Sequence, residues 1–194
     1  TFVSGYNQSI VITDSILAIG LERYLGADFP DYSGLGIPAY LVRNMKPEKI
    51  SSDAMRSWAI GEFPFNDSID NLACNMIYEG MLMYFTHMML PDQPDSLIFG
   101  FAPDQMKWCK KNEKMMWTYL IENKLLFNTD SFLIGKMVNS APFTSGFPQE
   151  SPGRSVVWLG YRIIHSYLKN NSVATFPQIM NKKDYQQILN KSKY

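Results

Sequence analysis

Residues 67–89, DSIDNLACNMIYEGMLMYFTHMM, decide the fold. Ile69, Leu72, Ala73, Met76, Ile77, Met83, Tyr84, Met88 and Met89 supply apolarity on nearly every side of a helix, so this segment is expected to be the central buried helix. One charge interrupts it: Glu79, between Tyr78 and Gly80. A carboxylate on a buried face is costly unless it is paired or hydrogen-bonded. Arg154 or Arg162 is the expected partner, and Gly80 permits the close approach. A functional pocket carboxylate and a surface-facing residue are the alternative roles for Glu79.

Both arginines lie in the second informative stretch, residues 141–168, APFTSGFPQESPGRSVVWLGYRIIHSYL. Gly146, Pro148, Pro152 and Gly153 constrain or free the backbone at successive points, and Phe143, Phe147 and Trp158 offer apolar anchors. Ser151 as N-cap and Pro152 at the first helical position would start a helix near Arg154. Val157, Tyr161, Ile164 and Leu168 then recur at helical spacing to about Lys169. Arg154 either pairs with a carboxylate or serves a site at the helix mouth.

Outward from these two segments, residues 2–13 read as one or two short strands, and 15–24 as a short helix or an extended piece. YLVRNM from Tyr40 forms a brief helix. Ser51 or Ser52 caps a helix to about Gly61, with Met55, Trp58 and Ala59 on one face. PDQPD from Pro91 stops the central helix, and another runs from Pro103 to about Leu125, with Lys107, Lys110, Lys111, Glu113 and Lys114 on its solvated side. Short helices cover 176–180 and 183–189. The expected fold class is α+β, mostly helical, as a single domain over residues 1–194 with a small N-terminal sheet. The strand-like opening suggests that residues upstream, with a leader and an anchor, are missing.

The 194 residues carry 18 basic and 18 acidic side chains, which gives no global field for nucleic acid. With 46% hydrophobic and 14% aromatic residues the chain is globular, and no run reaches the roughly 18 apolar residues that span a bilayer. Cys74 and Cys109 lack metal-ligand spacing and read as buried free thiols, although a disulfide between them stays open. His87 and His165 are too far apart to make a zinc pair on one helix turn. Neither a phosphate loop nor a nucleophile elbow is present, so no cofactor and no metal is expected. The candidate pocket comprises Glu79, Arg154, Tyr161, Arg162, His165 and Asp53.

The runs IGLERYLG from Ile19, MIYEGMLMYF from Met76, LPDQPD from Leu90, WCKKNE from Trp108, PFTSGFPQESPGRSVVWLGYRIIHSYL from Pro142 and ILNKSKY from Ile188 carry a resemblance. Together they resemble the gliding motility-associated lipoprotein B (GldB) family over essentially the whole chain. That family is similar in turn to predicted zinc proteases of the zincin type, in which a His-Glu-x-x-His helix precedes a helix bearing Glu-Gly. Two imidazoles and a later carboxylate would hold zinc, and the first glutamate would take a proton from bound water. The resemblance makes Glu79 the relic of the third ligand. In the preceding helix, SSDAMRSWAIGEF has no histidine, and Asp53 and Ser57 occupy plausible ligand positions.

The resemblance therefore implies a zincin-like scaffold that has lost its chemistry. It further implies a periplasm-facing membrane lipoprotein whose lipid anchor lies outside this segment, and whose partners are protein components of the cell envelope or gliding apparatus. The competing expectation is a hydrolase or peptidase using Glu79 with Asp53 or His165 and with Arg154 stabilising an anion.

Overall fold

The computed structural model describes residues 4–6 and 8–194; expectations for residues 2, 3 and 7 lie outside them. Two short strands, β1 (Ile10–Ile12) and β2 (Leu17–Ile19), pair antiparallel with Val11 opposite Ala18. The partner strand thus lies five residues on, where the sequence left helix and strand open, and a 3₁₀ turn at Leu21–Arg23 follows it. Two single-turn helices come next, α1 (Asp31–Gly34) and α2 (Ala39–Val42). Then follow α3 (Ile50–Glu62), α4 (Leu72–Met89), α5 (Asp95–Phe99), α6 (Pro103–Glu122), α7 (Ser131–Val138), α8 (Ser155–Asn170), α9 (Phe176–Met180) and α10 (Tyr185–Ser192). The chain is mostly helical with one small sheet.

The apolarity of α4 dictates the packing. Leu72, Met76, Ile77 and Leu82 are fully enclosed, because α8 lies along one side, α3 along another, and α10 covers both α4 and α8. Asn71 starts α4 by accepting from the Cys74 amide at 2.9 Å. That cap lies later than the Asp67 start expected from hydrophobicity, and Ile69, left outside the helix, is exposed. Cys74 and Cys109 are both buried free thiols.

The α4–α8 contact depends on two residues without side chains. A Cβ on Gly80 would fall on the Gly160 carbonyl carbon and the Tyr161 amide, and one on Gly160 would fall on the Met76 carbonyl oxygen. The backbones of the two helices therefore touch at this crossing. The chain neighbour of Gly80, Glu79, is carried to the margin of that contact.

Two helix starts differ from the sequence reading. Helix α3 begins at Ile50 after a 3₁₀ turn at Pro47–Lys49, and Ser52 sits inside it, donating to the Lys49 carbonyl at 3.1 Å. Helix α8 begins at Ser155, and Ser151 and Pro152 belong to the loop before it. The start of α8 is supplied from outside the helix by Thr144. Its hydroxyl donates to the Pro152 carbonyl (2.7 Å) and accepts from the Ser155 amide (2.7 Å) and hydroxyl (2.8 Å). One donor and two lone pairs are then all used, in a fully buried position.

Candidate functional site

Arg154 is the residue before α8, and it is held at φ +56° and ψ +29°, the left-handed region that a non-glycine residue seldom adopts. The conformation is imposed from both sides. Thr144 fixes Pro152 and Ser155, and Gly153 presses so closely on the Ala141 backbone that no Cβ fits between them. Arg154 is thereby turned toward α4 rather than along its own helix. A constrained backbone of this kind costs on the order of 1–3 kcal/mol and persists only where the surroundings over-determine it.

Its guanidinium meets Glu79. Arg154 Nη2 donates to Glu79 Oε2 at 2.6 Å, and Arg56 Nη2, from α3, donates to Oε1 at 2.8 Å and Oε2 at 2.7 Å. The carboxylate is therefore shared by two guanidinium groups and ties three helices together. Burial pushes the Glu79 carboxyl up, but Arg154 and Arg56 outweigh it and hold it below the usual carboxylate range. Burial in turn pulls Arg154 below its ordinary value, against the opposing pull of Glu79.

A second ionic group stands beside the first. Lys49, with its side chain 8% exposed, contacts Asp53 Oδ1 at 3.0 Å and donates to the Leu97 carbonyl at 3.0 Å. The Tyr24 hydroxyl donates to Asp53 Oδ2 at 3.0 Å. Burial lowers the Lys49 ammonium, Asp53 works against that, and the nearby Arg154 and Arg56 lower it further. Burial and the Asp53 carboxylate together raise the Tyr24 phenol.

Arg154, Lys49, Asp53 and Tyr24 border a cavity of about 170 Å³ between the N-terminal segment, the α2–α3 region and the loop before α8. Arg23, Arg43, Lys49 and Arg154 bring positive charge to its wall, and Asp53 is the carboxylate among the lining residues.

Of the six residues expected in the pocket, the structure brings Glu79, Arg154 and Asp53 to one region. The other three are elsewhere. Arg162 does not reach Glu79; its Nε donates to both oxygens of Glu113 at 3.1 Å, and its guanidinium lies 5.9 Å from the Trp158 ring. Two turns along α8 its side chain has rotated to the α6 side, which a 100° step per residue dictates. The Tyr161 side chain packs edge-on to Phe99, and its hydroxyl lies 3.1 Å from His165 Nε2 in an aromatic group that includes Tyr84. His165 thus faces tyrosines, far along α8 from Arg154.

Sequence reasoning missed Arg56, Lys49, Tyr24, Arg23 and Arg43. Ser57, one of the two positions proposed for lost ligands, is not among the groups that hydrogen-bond Glu79; the adjacent Arg56 is. The signal for Arg56 was available: it follows Asp53 by three residues and so shares its helix face. Among the described residues no three His, Cys, Asp or Glu side chains are gathered as a metal site would require. No helix among them is long and apolar enough to cross a membrane.

No curated protein and no solved structure gave a significant match to this sequence. A family comparison did: the sequence model of the family described as "Gliding motility protein GldB" matches residues 1–194. The match spans the central helix, the loop that sets Arg154 and the ion pairs between them, and the chain belongs to the GldB family of gliding motility lipoproteins.

Proposed function

We propose that this chain is a non-catalytic, periplasm-facing domain that supports gliding motility or its associated secretion machinery through protein contact, on a degenerate zinc-peptidase scaffold. The observation that carries this reading is the occupancy of Glu79: both of its oxygens accept from guanidinium groups. Shifted by one residue from the Asp53 and Ser57 ligand positions that the resemblance implied, Ser52, Asp53 and Arg56 have the spacing of a His-Glu-x-x-His run. A guanidinium then stands where the second imidazole would be, and it neutralises the carboxylate that would otherwise complete a metal site. Asp53, at the position of the general base, is held by Lys49 and Tyr24. The residues at these positions do not fit a zinc ion, since Arg56 brings a fixed positive charge to the place of a ligand.

Complementation tests the proposal. In a gliding bacterium lacking its own family member, Asp53→Asn is expected to restore colony spreading at normal protein abundance. The purified chain is expected to leave a mixture of unfolded envelope proteins intact. Cleavage of that mixture by the wild type, lost in Asp53→Asn, would overturn the contact reading in favour of a hydrolase centred on Asp53 and Arg154.

A further inference from the structure

We propose that the cavity bounded by Arg23, Arg43, Lys49 and Arg154 is a binding site for a phosphate-type oxyanion, free or as the head of a small phosphorylated molecule. The inference goes beyond the contact role and does not depend on it.

Charge is the first argument. Four cationic side chains and one carboxylate line the cavity. Adding Glu79 and Arg56, which are bound to Arg154, gives five positive groups (Arg23, Arg43, Lys49, Arg56, Arg154) against two negative ones (Asp53, Glu79), a local excess of three. The whole chain is neutral, with 18 of each sign. An excess of three in so small a space is therefore a local arrangement rather than a reflection of composition. Low-dielectric walls strengthen such a field and raise the local concentration of anions.

Unused donors are the second argument. Arg43, Arg154 and Arg23 each carry a buried Nε–H with no hydrogen-bond partner among the described residues. These nitrogens are closed to solvent and therefore to a ligand; what a ligand in the cavity meets is the second outer nitrogen of each arginine, Arg23 Nη2, Arg43 Nη1 and Arg154 Nη1, which makes no hydrogen bond among the described residues. Arg43 has one bond of its own, from Nη2 to the Gly100 carbonyl at 3.3 Å, and Arg154 has one to Glu79. Lys49 is different: its ammonium is engaged by Asp53 and by the Leu97 and Ile98 carbonyls. It supplies charge, whereas the arginines supply the directional donors that suit tetrahedral oxyanions.

Size and lining select the ligand class. A volume of 170 Å³ is below the roughly 300 Å³ at which pockets for drug-sized ligands begin. It is several times the ~30 Å³ share of one water. A phosphate with a short ester arm fits this range, and a peptide segment does not. A dianion also answers an excess of three positive charges better than a single carboxylate does.

The test is calorimetric titration of the full chain with sodium phosphate, glycerol phosphate and sodium acetate at fixed ionic strength. Saturable binding of a phosphate compound, with acetate at least tenfold weaker, is expected. Arg43→Gln should weaken it by about tenfold or more, the loss of a charged hydrogen bond. Arg23→Gln serves the same purpose should Arg43→Gln fail to fold, as judged by circular dichroism. Asp53→Asn, which removes the carboxylate from the wall, should tighten it. Glycerol phosphate binding well above inorganic phosphate would identify the headgroup of a phosphorylated molecule as the source, and equal binding would identify the free ion. No saturable phosphate binding, acetate bound equally well, or affinity unchanged in both folded arginine variants would overturn the assignment.

Discussion

Replacing Glu79 by alanine should cost this protein about 3 kcal/mol of folding free energy. Three charged hydrogen bonds disappear at once, at 2.6, 2.7 and 2.8 Å. Such bonds are worth about 1.5–3 kcal/mol each when measured singly, but they share one acceptor and do not add. The larger effect is what remains. Arg154, with a side chain only 17% exposed, keeps its charge and loses its counterion, and the neighbouring Arg56 then repels it. Stranding one member of a buried pair costs about 3–5 kcal/mol. The value belongs at the lower end, because Arg56 is 28% exposed and water takes over part of its solvation. For a chain of this length each kcal/mol moves the midpoint by roughly 2–4 °C, so a fall of about 6–12 °C is expected.

The assay is urea unfolding followed by circular dichroism, with the slope checked for constancy so that the midpoint alone reports stability. The pH dependence provides an internal control. The folded Glu79 carboxyl lies below its ordinary value near 4.5. Its contribution is therefore fully present above about pH 4.5 and is lost as the pH falls through the lower folded value. Wild type should destabilise over that acidic interval, and Glu79→Gln should lose this part of the profile. A change in unfolding free energy below about 0.5 kcal/mol in Glu79→Ala, or an unaltered acid limb in Glu79→Gln, would refute the reasoning.

Thr144→Val should destabilise by about 2–4 kcal/mol, since it leaves the Ser155 amide, the Ser155 hydroxyl and the Pro152 carbonyl without their shared partner; Thr144→Ser should stay within about 1 kcal/mol, and hydrogen exchange at the Ser155 amide checks the difference. Arg162→Met should cost less than about 1 kcal/mol in chemical denaturation, because its pair with Glu113 leaves the arginine side chain 41% exposed. Burial pushes the Cys109 thiol up to about 12 and raises Cys74 as well, so both should resist iodoacetamide at pH 8 in the native protein and react at the rate of unfolding in urea, as mass spectrometry would measure.

The readable parts of this sequence were those in which one segment carries the whole signal. All-round apolarity in residues 72–89 marks a buried helix with no reference to its neighbours, and a lone glutamate within it demands a cation wherever the cation comes from. Arg154 could be named because the loop before it is visibly built to fix a backbone. Helix α7 escaped notice because eight residues hold barely two turns, and its start depends on Asp130 accepting from the Phe132 amide. Helix α5 is shorter still, set between Pro94 and a left-handed Gly100. The ionic surroundings were illegible for a different reason. Arg56 shares the Asp53 face of its helix, but nothing local ties that face to Glu79, and Lys49 occupies a 3₁₀ turn. Arg23 and Arg43 are separated from Arg154 by more than a hundred residues. Only the folded chain brings them to one cavity, and no local spacing records that encounter.

The glycine crossing bears on how a mutational survey of this protein would be read. Suppose every position were varied and the library selected for spreading colonies. Gly80 and Gly160 would rank among the strictest positions, and their proximity to Glu79 and Arg154 would invite their inclusion in a functional centre. Neither carries a group able to bind or react. Their intolerance would report the distance between two backbones, since any side chain on one helix must displace the main chain of the other. Selection on such residues would preserve the separation of α4 and α8, and with it the reach of Arg154 to Glu79, without acting on any chemistry of its own.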